Sequence, residues 1–182
     1  FIVKPYLQDA TPSSITIMWE TDYGDDSVVK WGLDTSVENT TTSIATSTPA
    51  GHQMHCVELS GLDRFTNYYY KVITGLIVSD IHMFKTPPFA SDNKDFRFVA
   101  MSDMQQSWAD PEIFDEVVHD GVLDYLDSMY GGETADNLAL ILIPGDLVDY
   151  GNTYNQWEED FFDPASDSVS YTHLTLPTKD SV

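Results

Sequence analysis

The pair Pro87-Pro88 separates two stretches of opposite hydrophobic period, and this break constrains the fold more than any other feature of the chain. Ahead of it the pattern has period two. Ile15, Ile17 and Trp19 alternate with Thr16, Met18 and Glu20; Tyr68, Tyr70 and Val72 share one face, with Tyr69, Lys71 and Ile73 on the other. That alternation belongs to half-buried strands. Runs of β-formers at 2–7, 14–20, 27–32, 53–59, 67–73 and 79–86 are divided by turn-rich segments at 9–13, 23–26 and 60–63. Strands this short and this closely spaced, about seven in all, predict an immunoglobulin-like or fibronectin-like sandwich. The Thr/Ser-rich stretch 40–50 predicts a long loop or a ragged edge strand. Pro-Pro cannot continue a central strand, and residues 89–95 are mostly polar. The expected division is a sandwich at 1–87 and a linker at 88–95.

Beyond the linker the apolar runs become continuous. Residues 96–101 are apolar except for Arg97, and 138–144 are apolar throughout. Between them, 111–130 predicts a helix, with Asp110 as N-cap, Pro111 at the first position, and Glu112, Asp115 and Glu116 at its positive end. Phe114, Val118, Val122, Leu126 and Met129 recur at helical spacing, and Gly131 can terminate the helix. Gly121 inside it costs ~1 kcal/mol relative to alanine. Strand, helix and buried strand make a βαβ unit, which predicts a parallel sheet with covered faces over 96–168.

The charge balance narrows the function. In 182 residues there are 8 Lys plus Arg against 30 Asp plus Glu, for a net charge of −22. Such a chain is unsuited to binding a nucleic-acid backbone or an anionic membrane surface. No apolar run approaches the ~20 residues of a membrane span. The acidity itself reads as a solubility or high-salt adaptation. The single cysteine, Cys56, rules out an intramolecular disulfide and a thiolate zinc cluster, and is expected as a small buried hydrophobe. The chain begins at Phe1 without a leader, which predicts a removed signal or a start inside a longer coding sequence.

Both continuous runs end in aspartate: Ser102-Asp-Met-Gln105 after the first, Gly145-Asp-Leu-Val-Asp-Tyr-Gly151 after the second. Ligands in open α/β sheets bind beyond the carboxyl ends of the strands. On neighbouring strands Asp103 and Asp146 would share a crevice, and two close carboxylates call for a proton or a cation between them. Oxygen donors suit Mg²⁺, Mn²⁺ or Fe. Gly145 would allow a tight turn and the approach of a ligand. Taken singly, each aspartate reads equally well as a turn or cap residue.

These blocks carry a resemblance. Phe98-Val-Ala-Met-Ser-Asp-Met-Gln105 followed by Ile141-Leu-Ile-Pro-Gly-Asp-Leu-Val-Asp-Tyr-Gly151 resembles the first two blocks of the calcineurin-like metallophosphoesterases. The first section is similar to the fibronectin-like N-terminal domain of purple acid phosphatases, through Lys4-Pro-Tyr-Leu-Gln8, Ser14-Ile-Thr-Ile-Met-Trp-Glu-Thr21, Val28-Val-Lys-Trp-Gly32, Val57-Glu-Leu-Ser-Gly-Leu62 and Thr66-Asn-Tyr-Tyr-Tyr-Lys-Val72. The resemblance spans residues 3–165. It implies a β sandwich followed by the start of an α/β metallophosphoesterase sandwich domain. It also implies a site for two divalent or trivalent metal ions (Fe, Mn, Zn or Mg), with Asp103 on the first and Asp146 bridging both. The implied reaction is hydrolysis of a phosphate ester by a metal-bound hydroxide, in an exported or periplasmic protein.

The sequence departs from that family in three respects. Its first block is Asp-x-His, whereas this chain has Gln105, whose amide oxygen is a weaker ligand for a transition metal. Where purple enzymes carry a tyrosine three positions after the bridging aspartate, Asp149 stands, with Tyr150 one step later. The Gly-Asn-His block and the later histidine blocks do not occur. Residues 155–162 fit the family's next helix, with Trp157, Phe161 and Phe162 as core. The stretch from Val169 to Thr178 resembles a translated sequencing adapter, so 169–182 is expected to be a non-native tail and His173 no ligand. His52, His55, His82 and His119 are expected to be structural or surface residues. The expectation is therefore the N-terminal part of a phosphoesterase, inactive by itself, with metal ligands Asp103, Gln105, Asp146 and Asp149. The competing reading is a fibronectin-like binding or adhesion module joined to a degenerate phosphoesterase-like domain.

Overall fold

A computed structural model describes residues 1–105, 112–170 and 172–175. Asp110 and Pro111, the expected start of the helix, and residues 176–182 lie outside the described residues. The first section runs β1 (Val3–Thr11), β2 (Ser14–Thr21), β3 (Asp26–Gly32), β4 (Asn39–Ile44), β5 (Thr46–Ser47), β6 (Gln53–Ser60), β7 (Asn67–Thr74), β8 (Ile77–Val78) and β9 (His82–Lys85). The polar stretch after residue 38 forms β4 and β5, which lie at the edges of two different sheets. A strand with few apolar side chains fits an edge, where only one side has a ladder to satisfy.

The second section contributes β10 (Phe98–Ala100), α1 (Ile113–Glu116), a π-helical stretch (Val117–Leu123), α2 (Asp124–Tyr130), α3 (Thr134–Asn137), β11 (Leu140–Leu142), α4 (Tyr154–Gln156), a second π-helical stretch (Trp157–Phe162), α5 (Asp163–Val169) and β12 (His173–Thr175). The helix expected over 111–130 is thus present but loosened to π geometry around Gly121, which supplies no side chain to pack. Gly131, at φ 61°, ends it and donates its N–H to the Asp127 carbonyl. Phe114, Val118 and Leu126 face the core, whereas Met129, expected there, is 57% exposed. The π stretch turns the following residues out of strict helical phase.

Among the described residues the strands form two sheets. One has the order β10-β11-β12-β1-β2-β6-β5, the other β4-β3-β7-β8 with β9 also on β7. In the first sheet β10, β11, β12 and β1 pair in parallel, and β1, β2, β6 and β5 are antiparallel. A single ladder therefore runs from the sandwich into the second section. Residues 173–175, set apart on sequence grounds, form its joining strand, and Val169, Ser170 and Thr172 just before them are buried.

Strand β1 serves both sections. The β1–β2 register shifts between Val3 and Tyr6, around Pro5, which lacks an N–H for the ladder. Val3 and Tyr6 then pack with Phe114, Val118, Ile141 and Phe161 in one core. Leu7 packs with Trp19, Val29, Tyr70 and Phe84 in the other. The expected face of β7 is confirmed, with Tyr68, Tyr70 and Val72 all buried. On β6 the inward residues are His55, Val57 and Leu59, so Cys56 points outward and is exposed, contrary to expectation. The parity of the strand gives the inward place to His55, which Thr21 Oγ1 and Ser27 Oγ bond at 2.8 Å on its two ring nitrogens. The expectation that both faces of the parallel strands are covered also fails at the margin. Phe98 is 55% exposed because β10 is the edge strand of this sheet.

The sections are tied by polar contacts as well. Lys85 Nζ donates to Asp136 at 2.7 Å and Asn67 Nδ2 to the same carboxylate at 3.3 Å. Burial works to raise the Asp136 pKa, but these bonds outweigh it and hold the carboxyl below its ordinary range. Tyr70 Oη donates to the Ser170 carbonyl and Ser170 Oγ to the Pro5 carbonyl, at 2.9 and 2.7 Å.

Candidate functional site

Strands β10 and β11 are hydrogen-bonded neighbours in parallel register, Phe98 opposite Leu140 and Ala100 opposite Leu142. Their C-terminal extensions stay together. Met101 N–H donates to the Leu142 carbonyl at 3.1 Å, Ser102 Oγ to the Gly145 carbonyl at 3.1 Å, and Met104 N–H to the Asp146 carbonyl at 2.9 Å. Asp103 and Asp146 therefore stand side by side at one rim of the sheet, as the sequence pattern expects.

Both aspartates take the left-handed region, Asp103 at φ 61° and Asp146 at φ 51°. The expected tight turn thus falls on Asp146 and not on Gly145, whose φ is not positive. A Cβ at Gly145 would meet nothing within 4 Å, so the space for a ligand beside it is open. Each aspartate is exposed and is followed by a buried anchor, Met104 or Leu147. The buried residue pins the turn and leaves the carboxylate facing solvent. Left-handed backbone costs an L-residue roughly 1–2 kcal/mol, less for Asp.

Gln105 follows Asp103 and is half-buried. Its Oε1 is buried and has no hydrogen-bond partner among the described residues. Amide and carboxylate oxygens are the donor type that suits a hard cation. Asp149 is exposed, and its charge acts on the buried Asp160. Burial first, then Glu159 and Asp149, push the Asp160 carboxyl up. Asp103, Asp146, Gln105 and Asp149 all carry oxygen donors, and of these the turns of Asp103 and Asp146 are joined by the Met104 N–H to Asp146 carbonyl bond. Among the described residues no group of three or more His, Cys, Asp or Glu side chains is placed to hold a metal ion.

A second polar cluster has no signal in the sequence, because its members lie far apart in the chain. Glu20, on β2 and only 2% exposed, accepts at Oε1 from His52 Nδ1 at 2.8 Å and from the Tyr154 hydroxyl. The His52 and Tyr154 rings meet edge-on with centroids 5.5 Å apart. Burial, followed by the bond to Glu20, pushes the Tyr154 hydroxyl up to about 12. His55 is structural, as expected: its ring lies flat on Trp19 at 4.8 Å, and burial lowers its pKa.

Comparison with known proteins identifies the first section. Residues 2–86 match the family described as the purple acid phosphatase N-terminal domain. A solved structure described as PhoD is similar over 97% of this chain, at 14% identity and a TM-score of 0.62. The chain spans 38% of the length of that structure, and the likeness extends the shared fold through the second section. The sensor domain of the anti-sigma factor RsgI4 of Pseudobacteroides cellulosolvens is similar over 48% of this chain and 96% of its own, at 15% identity and a TM-score of 0.35. A comparison with curated proteins gives no match. The chain thus combines a β sandwich that matches the purple acid phosphatase N-terminal domain over residues 2–86 with an α/β section, in a fold similar to that of the structure described as PhoD. No described helix is long and apolar enough to cross a membrane.

Proposed function

We propose that the chain is the N-terminal part of a metal-dependent phosphoesterase whose metal ligands include Asp103, Asp146 and Gln105. The observation that carries this reading is the bond from Met104 N–H to the Asp146 carbonyl, which sets two left-handed aspartates on adjacent parallel strands at one rim. A cation held there supplies Lewis acidity toward a phosphoryl oxygen. The chain's own part is to position the oxygens. Met104 and Leu147 anchor the turns, the Ser102 hydroxyl ties them together through the Gly145 carbonyl, and the open space at Gly145 admits the substrate. Asp149 is a further ligand in this reading. Because these residues offer few donors for two metal ions, the chain alone binds a cation weakly and hydrolyses no phosphate ester. Between Phe96 and Ser168 the only Lys or Arg is Arg97, so an anionic substrate meets a repulsive field that the cations must overcome. The lineage favours an exported or periplasmic protein acting on a phosphate mono- or diester.

Calorimetric titration with Mn²⁺ in moderate salt tests the site. Asp146→Asn is expected to weaken the tightest binding event at least about tenfold (~1.4 kcal/mol). Asp124→Asn, on the exposed face of α2, serves as the control for general attraction to an acidic surface and is expected to change little. Equal behaviour of the two variants would remove the basis for the proposal.

A further inference from the structure

The junction of the two sections forms a half-open hollow of about 340 Å³, within the size range of small-ligand pockets. Its lining includes the aromatic residues Tyr154, Trp157 and Phe162 and the acidic residues Glu20 and Glu158. Glu20 is held immobile in it by the bonds from His52 and Tyr154. Glu158 is half-buried, and burial followed by the charges of Asp163, Glu159 and Glu20 raises its pKa, with His52 acting the other way. No Lys or Arg side chain lines the cavity among the described residues. The titratable carboxyl residues of the lining, Glu20 and Glu158, make the hollow acidic, beside aromatic residues whose quadrupoles can attract cations. A strongly hydrated metal ion has no apolar body to bury against the aliphatic part of the lining, whereas an organic cation does.

We propose that this cavity binds a small organic cation, an alkylammonium or quaternary ammonium group, with the charge beside Glu158 and Glu20 and the apolar body against Trp157 and Phe162. The inference is independent of the phosphoesterase reading, because it uses a different set of side chains. Each component supplies a separate part of the recognition. The two carboxyl residues set the charge preference, and the aromatic residues favour an apolar substituent.

The test uses the full chain, with n-butylammonium chloride as probe and n-butanol as its neutral counterpart, at matched ionic strength. Calorimetry is expected to show saturable binding of one butylammonium per chain, at least about tenfold tighter than butanol, which corresponds to ~1.4 kcal/mol. Glu158→Gln is expected to weaken butylammonium about tenfold with unchanged far-ultraviolet circular dichroism, and Glu158→Asp to retain most of the affinity. Asp124→Asn is expected to leave it unchanged. The proposal is overturned if butanol binds as well as butylammonium, if Glu158→Gln binds like the parent, if Asp124→Asn weakens binding equally, or if no saturable binding is seen.

Discussion

Acidification should expose the buried His55 as a stability switch. The ring is fully buried between Trp19, Thr21 and Ser27, and burial lowers its pKa below the ordinary 6.5, with Asp26 and Asp25 opposing the shift in part. In the unfolded chain the same imidazole takes up a proton near its ordinary pKa. Below that pH the unfolded state therefore binds more protons than the folded one, and stability falls as pH drops toward the folded pKa. Each pH unit in that window contributes at most about 1.4 kcal/mol, so lowering the pH from 7 to 5 removes up to about 2 kcal/mol through this one group. Urea unfolding at both pH values measures the total, and His55→Leu isolates the histidine. The variant loses the bonds to Thr21 and Ser27 and the stack on Trp19, costing about 2 kcal/mol at pH 7. Its loss between pH 7 and pH 5 should be smaller than the parent's, because the carboxylates common to both cancel. Identical pH dependence in the two proteins would refute the argument that His55 is held neutral by its surroundings.

Other outcomes follow from single contacts. Asp146→Gly relieves the left-handed turn and is expected to leave stability unchanged or slightly higher, while Asp146→Ala lowers it by about 1 kcal/mol; denaturant midpoints decide the order. Tyr70→Phe strips the donor from the buried Ser170 carbonyl and should cost about 1–2 kcal/mol, read as a lower thermal midpoint. Thr74→Val removes the acceptor at 3.1 Å from the buried Trp19 Nε1 and should cost a similar amount, visible in the same melts.

What could be read from the sequence depended on how local the cause was. The alternation around Tyr70 gave the buried face of β7, because side chains on a strand alternate whatever the strand packs against. The helical repeat located Phe114, Val118 and Leu126 in the core but misplaced Met129, because the π stretch after Val117 alters the phase in a way no residue pattern announces. Cys56 was misassigned by one parity step. On composition it suited the interior better than His55, and only the hydroxyls of Thr21 and Ser27, brought in by other strands, reverse that preference. Gly145 looked like the flexible point of its turn, whereas the left-handed residue is its neighbour Asp146.

The sequence by itself determined the change of section at Pro87-Pro88, the apolar runs that precede Asp103 and Asp146, and the acidity of the chain. Those properties follow from period, chain order and charge, which act over a few residues. Tertiary structure alone decided that β1 packs into both cores, that the Gln105 oxygen has no partner among the described residues, and that Glu20 bonds both His52 and Tyr154. Such contacts join residues remote in the chain, and their energies come from burial and mutual orientation, which exist only once the elements have docked.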